Sequence, residues 1–108
     1  MSYRLAERAS TGDHGVNGSL IRSTAFVRSA RKHIRRHPEQ ASDLFEAITQ
    51  LTEDPFHPSL RTHKLTGVLA GSWACSAGYD LRILFKIVKQ SGKPAILLES
   101  VGTHDEVY

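Results

Sequence analysis

The chain has 108 residues, of which 40% are hydrophobic, and it carries a net charge of +3 with a sequence pI of about 9.3. This length and composition are typical of one globular domain with its own core. No apolar run reaches the roughly 18 residues needed to span a membrane, and the N-terminus lacks the apolar stretch of a signal peptide. We therefore expect a cytoplasmic protein with no membrane partner.

The chain contains a single cysteine, Cys75, which cannot form a disulfide within the chain. It lies among small residues, which favours a packed, unreactive thiol over a nucleophile. The sequence shows neither metal-ligand spacing nor a nucleotide-binding glycine loop. We expect no metal and no other cofactor.

The first 19 residues contain three glycines and little apolar periodicity. We expect a flexible N-terminal extension over residues 1–19 and one folded domain over residues 20–108. Residues 20–23 are predicted as a first strand, followed by a helix over residues 25–36 with Thr24 as its N-cap. Pro38 ends that helix and can open a second one, which is predicted to end near Asp54.

Both predicted helices carry one apolar face. The residues on these faces are Phe26, Val27, Ala30, Ile34 and His37 in the first helix and Ala41, Leu44, Phe45, Ile48 and Leu51 in the second. Strands are predicted at residues 63–66, 73–77, 81–88 and 95–101, separated by turns at residues 67–71 and 90–93. Such short turns indicate antiparallel neighbours. The predicted fold is an α+β domain of order β-α-α-β-β-β, with an antiparallel sheet and a helical hairpin packed on one face.

Basic residues concentrate in two places. The first helix segment carries Arg22, Arg28, Arg31, Lys32, Arg35 and Arg36, with His33 and His37 among them, and Arg61 and Lys64 form a second spot. Two interpretations stay open for these clusters: a solvated helix face, or a surface for a phosphate backbone.

Side chains along residues 81–88 alternate between the two faces of the sheet, so Arg82 lies on the face opposite to that of Leu81 and Ile83. If the apolar face meets the helices, Arg82 points to the open face of the sheet with Asp80 on the same side. Arg82 then either forms a salt bridge at the surface or binds an anion. Alternation also sends His63 and Lys64 to opposite faces, so that one of them faces the same site.

His104 follows the predicted last strand, and Tyr108 lies four residues further on. Alone, His104 is either a surface histidine or a proton-transfer group, and Trp73 is either a core residue or a stacking platform for a base. Two histidines, cations, a carboxylate and aromatic rings together suit metal-free cleavage of RNA. In that reaction the substrate supplies the 2′-hydroxyl nucleophile and the protein moves protons and stabilises charge.

Four segments, in this order and spacing, resemble the RelE/ParE toxin superfamily, and most closely its YafQ-like messenger-RNA interferases. They are Leu60-Arg61-Thr62-His63-Lys64-Leu65-Thr66-Gly67, Gly71-Ser72-Trp73, Tyr79-Asp80-Leu81-Arg82-Ile83-Leu84-Phe85 and Gly102-Thr103-His104-Asp105-Glu106-Val107-Tyr108. The resemblance runs from about residue 20 to the end of the chain.

The resemblance implies a microbial RNase-like α+β fold and an endoribonuclease toxin of a type II toxin–antitoxin system, which cuts mRNA on the ribosome. A cognate antitoxin is then the protein partner, and operator DNA is reached only through that antitoxin. The implied catalytic residues are His63, Asp80, Arg82 and His104. The implied RNA-binding residues are Arg61, Lys64, Trp73 and Tyr108.

The chain departs from the family pattern at Ser76, where the YafQ-like branch has a further histidine. The lysines that RelE-like members use are represented only by Lys64. Two alternatives therefore stay open: a ParE-like toxin that inhibits DNA gyrase without cutting RNA, and a degenerate, inactive toxin that acts as a binding partner. His63 and His104 argue against the gyrase inhibitor, because inhibition by binding needs no proton transfer.

Overall fold

The computed structural model describes residues 19–104 and places two helices on one face of a five-stranded sheet. The strands and helices, in chain order, are β1 (Ser19–Arg22), α1 (Thr24–Arg36), α2 (Ala41–Glu53), β2 (His63–Lys64), β3 (Trp73–Ala77), β4 (Leu81–Gln90) and β5 (Lys93–Thr103). Short 3₁₀ turns lie at Pro38–Gln40, Pro58–Leu60 and Gly67–Leu69. The predicted α+β class and element order are confirmed. The predicted boundary at residue 19 stays a prediction, since residues 1–18 and 105–108 lie outside the described residues.

The strand order is β1-β5-β4-β3-β2, and the sheet is mixed. Strands β2 to β5 pair antiparallel as predicted, because each follows the previous one after a short connection. Strand β1 instead pairs parallel with β5, with Leu20 opposite Ile96. The expectation of a fully antiparallel sheet was wrong on this pair, because two helices separate β1 from the rest and no tight turn sets its direction.

Helix α1 begins one residue earlier than predicted, with Ser23 as its N-cap in place of Thr24. The Ser23 hydroxyl accepts a hydrogen bond from the Phe26 amide at 3.0 Å and donates to the Glu99 carbonyl at 3.2 Å. One turn later, the Ser29 hydroxyl accepts from the Val101 amide at 3.0 Å. These bonds attach the first two turns of the helix to β5.

The core lies between the helical hairpin and one face of the sheet. Its most completely buried large side chains are Phe26, Leu51, Leu81, Ile83, Phe85 and Leu98. Ala41 is exposed in the first turn of α2, and Phe45 and His37 are half-buried outside the core. The other predicted positions of the apolar faces are confirmed: Phe26, Val27, Ala30, Ile34, Leu44, Ile48 and Leu51. Within residues 19–104, neither helix is long and apolar enough to cross a membrane.

His33 is buried, although it lies among the basic residues of α1 in the sequence. It follows Phe26 and Ala30 at helical spacing, so it belongs to the face that meets the core. Its Nε2 atom lies 2.5 Å from Oε1 of Gln40, in the turn that links the helices. A side chain that looked like part of the basic surface therefore joins α1 to the start of α2.

Candidate active site

The turn between β3 and β4 and the residue that follows β5 meet at one end of the sheet. Leu81 pairs with Thr103, and the His104 amide donates a hydrogen bond to the Asp80 carbonyl at 3.1 Å. Gly78, at the start of the turn, has a φ of +76°, a conformation that favours glycine. The structure thus brings His104 beside Asp80, although they are far apart in sequence.

Arg82 lies on β4 with Ser76 opposite it on β3 and Gly102 opposite it on β5. These small neighbours leave room above the guanidinium on the sheet face away from the helices. Its Nη1 donates to the carbonyls of Tyr79 at 3.2 Å and Leu81 at 3.0 Å. Within the described part of the chain, Nε and Nη2 make no hydrogen bond, so this side of the fork is available to an anion.

These elements line an open cleft of about 590 Å³. The lining residues are Ser59, Arg61, Ser76, Gly78, Tyr79, Asp80, Arg82 and His104. Four of the predicted site residues (Arg61, Asp80, Arg82 and His104) therefore share one cleft. The arrangement combines two guanidinium groups, one imidazole and one carboxylate, which suits binding a phosphodiester and exchanging a proton with it.

His63 lies on the same face of the sheet but outside the lining of the cleft. It pairs with Ala74, which pairs with Leu84, and directly opposite residues share a face. Strand β2 is two strands away from β4, and neighbouring strands lie about 4.8 Å apart. The His63 Nδ1 lies 3.0 Å from the Arg61 carbonyl, which can only accept, so Nδ1 donates in this contact.

Lys64 and Trp73 lie on the opposite face from Arg82. They pair with each other, and Trp73 pairs in turn with the buried Phe85. The Lys64 Nζ lies 5.5 Å from the Trp73 ring centroid, and the Phe56 ring meets the same indole edge-on at 5.1 Å. The structure therefore does not bring these two predicted RNA-binding residues to the cleft, and the core interpretation of Trp73 is the one that it supports.

Tyr108 lies outside the described residues, whereas Tyr79, which had no predicted role, lines the cleft. Its side chain is 96% exposed at the tip of the β3–β4 turn. The nearby glycine and aspartate are typical of a turn and place Tyr79 at its tip. Nothing local indicates which surface that tip borders.

Cys75 lies beneath this region and is fully buried. Burial raises the pKa of its thiol from 9.0 to about 12, against the smaller lowering effects of the Arg82 charge and of a hydrogen bond with the Ile83 backbone. The prediction that this thiol is packed in the interior is confirmed. Among residues 19–104, no three histidine, cysteine or acidic side chains are grouped so as to hold a metal ion.

A second groove of about 540 Å³ runs along α1 and shares no residue with the cleft. Its lining combines one apolar side chain with a series of cations: Arg22, Thr24, Val27, Arg28, Arg31, Lys32 and Arg35. Five of the six arginines and lysines of the first basic cluster, all except Arg36, thus line one groove on the helical side of the molecule.

No protein-family model matches the sequence, and no curated protein is significantly similar to it. Solved structures do match. YafQ from Escherichia coli is 16% identical with a TM-score of 0.68, over 83% of this chain and 97% of that one. A YoeB/ParE toxin from Agrobacterium tumefaciens is 14% identical with a TM-score of 0.65, over 80% and 98%. A metal-bound toxin from Helicobacter pylori is 23% identical with a TM-score of 0.64, over 83% and 98%. YafQ has also been solved in a toxin–antitoxin complex with DinJ. At these identities the similarity establishes a shared fold.

Proposed function

We propose that this chain, which has the fold of the RelE/YafQ-like toxins, is an endoribonuclease toxin of a type II toxin–antitoxin system acting on mRNA in the cytoplasm. The fold supports the toxin class. The observation that carries the proposal is the cleft in which Arg61, Asp80, Arg82 and His104 converge. A site that only bound a protein surface would not need an imidazole and a guanidinium group in the same cleft.

In the proposed reaction, a 2′-oxygen of the substrate attacks the adjacent phosphorus and the bond from phosphorus to the 5′-oxygen breaks. One protein group accepts the 2′-hydroxyl proton, and another gives a proton to the leaving 5′-oxygen. His104 is the imidazole in the cleft, and His63 is a second one on the same sheet face. Arg82, with Arg61 beside it, binds the phosphate and stabilises the charge that grows on its oxygens. Asp80 lines the same cleft, and its carboxylate would orient the cationic groups there.

The proposed partners are a cognate antitoxin, mRNA and the ribosome. The complex of YafQ with DinJ supports an antitoxin for a chain of this fold. The cationic groove on α1 lies apart from the cleft, so a polyanion such as ribosomal RNA can contact it while mRNA occupies the site. Operator DNA would be reached only through the antitoxin.

The direct test is cleavage of a defined mRNA by the purified protein, free and in a translating extract, followed by primer extension. We expect His104→Ala and Arg82→Ala each to lower the cleavage rate by about 10²–10⁴-fold, the loss typical of a missing proton-transfer or charge-stabilising group. Lys89→Ala, which removes an exposed cation from the far end of β4, serves as the control and should cleave normally. Wild-type cleavage rates in His104→Ala would overturn the assignment.

A ParE-like gyrase inhibitor is the second candidate function, because a YoeB/ParE toxin shares this fold. A supercoiling assay with purified gyrase separates the two functions. Inhibition of supercoiling without RNA cleavage would favour the alternative, and cleavage without inhibition supports the nuclease. A chain that does neither, and that does not arrest growth when induced, would be the degenerate toxin.

A further inference from the structure

Tyr79 is an exposed aromatic ring at the edge of the cationic cleft. Its side chain is 96% exposed, and it lines the cleft together with Asp80, Arg82 and His104. An isolated exposed tyrosine is ordinary in a soluble protein. This one is notable for its position, because a flat apolar surface borders a site that carries two guanidinium groups.

The backbone that carries this ring is held from three sides. The Arg82 guanidinium binds the Tyr79 carbonyl, and the His104 amide binds the Asp80 carbonyl. On the other side, Gly78 packs against the Asp43 carboxylate so closely that an added Cβ would collide with Oδ2. These contacts hold the backbone of the turn at the edge of the cleft.

Trp73 and Phe56 do not line the cleft, and Phe45 lines a neighbouring groove along α2. Trp73 and Phe56 pack against each other on the helical side. Among the described residues that line the cleft, Tyr79 supplies the one phenyl or indole surface. A nucleotide whose phosphate meets Arg61 and Arg82 would occupy the cleft that Tyr79 also lines.

We propose that Tyr79 is the platform on which a base of single-stranded RNA stacks, next to the phosphate bound by Arg61 and Arg82. An aromatic ring can stack with any base, because every base has a π face. Tyr79 would therefore position the substrate without selecting its sequence. That the ligand is RNA rests on the proposed function. The role of the ring is tested by a binding measurement alone.

The test uses a fluorescent single-stranded oligoribonucleotide with 2′-O-methyl sugars, which lacks the nucleophile and can be bound but not cut. We expect Tyr79→Leu to weaken binding by about 5- to 150-fold, the range for loss of one base–aromatic stack. Tyr79→Phe keeps the ring and should bind within about twofold of the wild type. Val68→Ala changes a fully exposed residue outside the cleft and serves as the matched control.

The salt dependence separates stacking from phosphate contact. Each lost phosphate contact on a single strand lowers the slope of log affinity against log salt by about 0.7. We expect Arg61→Ala to lower the slope by about this amount, and Tyr79→Leu to lower the affinity without changing the slope.

Equal binding by Tyr79→Leu and the wild type would overturn the inference, as would Tyr79→Phe binding as weakly as Tyr79→Leu, since the hydroxyl and not the ring would then matter. A wild-type protein that does not bind the oligonucleotide also overturns it. Ring-dependent binding by a wild-type protein that cuts no RNA would support the stacking platform and reject the nuclease, so the two failures are distinguishable.

Discussion

At the scale of single residues, Arg82 connects the cleft to the core. Its Nη1 holds two carbonyls of the β3–β4 turn, which leaves the rest of the guanidinium facing the cleft. Its charge also acts on the Cys75 thiol beneath the sheet, where it opposes the effect of burial on the pKa. Alternation along the strand was sufficient to predict the direction of Arg82, but its two carbonyl partners depend on the conformation of the turn.

The Cys75 thiol should make stability fall in alkaline solution. Its pKa is raised from 9.0 to about 12 in the folded state, so the unfolded chain loses the thiol proton first as the pH rises. The stability tied to this proton is complete below pH 9 and is lost between about pH 9 and pH 12, at about 1.4 kcal/mol per pH unit. Urea unfolding between pH 8 and pH 10.5 measures it.

Cys75→Ala is the control, because it removes the titrating group and leaves the other alkaline titrations in place. We expect the free energy of unfolding of the wild type to fall more steeply than that of Cys75→Ala above pH 9. Parallel curves for the two proteins would contradict a buried thiol.

At the scale of secondary-structure elements, α1 shows what periodicity reveals and what it misses. The spacing of Phe26, Val27 and Ala30 predicted the helix and its buried face correctly. The same spacing includes His33, but a histidine within a basic segment was assigned to the surface by its neighbours. Only the position of Gln40 in the following turn supplies the hydrogen-bonding partner that allows this ring to be buried.

The N-cap of α1 should contribute measurably to stability. Ser23→Ala removes the hydroxyl that accepts from the Phe26 amide and donates to the Glu99 carbonyl. We expect the free energy of unfolding to fall by about 1 kcal/mol, within the range of about 0.5–2 kcal/mol for such caps. Urea denaturation measures the change.

Ser42→Ala is the matched control for this prediction. Ser42 is exposed in the first turn of α2 and makes no side-chain hydrogen bond in the described structure. Alanine is the better helix former, so the control should be neutral or slightly more stable than the wild type. Equal stability of Ser23→Ala and Ser42→Ala would argue against the cap.

At the scale of the whole molecule, one core holds the helices on the sheet and thereby positions the cleft on the other face. Phe85 lies at the centre of β4 and is fully buried, whereas Phe56 is 53% exposed. Alanine substitutions at these two positions remove the same side chain. The difference in their effect on stability therefore reports the difference in burial.

We expect Phe85→Ala to lower the free energy of unfolding by about 3–5 kcal/mol, the cost of removing a buried phenyl group and leaving a cavity. Phe56→Ala should cost less, because half of that ring is already in water. Thermal and urea unfolding of the two variants measure the difference. Similar losses in both would mean that the core is not centred on β4.

Local sequence patterns were enough to predict the order of the elements, most of the apolar faces of the helices and the outward direction of Arg82. Each of these follows from periodicity over a few neighbouring residues and from turn residues such as Gly92, which has a φ of +79° between β4 and β5. Strand β3 was predicted with its observed bounds for the same reason.

The parallel pairing of β1, the partly buried position of Trp73 and the identity of the aromatic residue at the cleft depend on tertiary packing. The sequence indicated Trp73 and Tyr108 for that role, and the described structure offers Tyr79. These features depend on which segments meet across long separations, as when the His104 amide reaches the Asp80 carbonyl. Local patterns determine which way a side chain points relative to its own strand, but packing of the whole chain decides what lies in front of it.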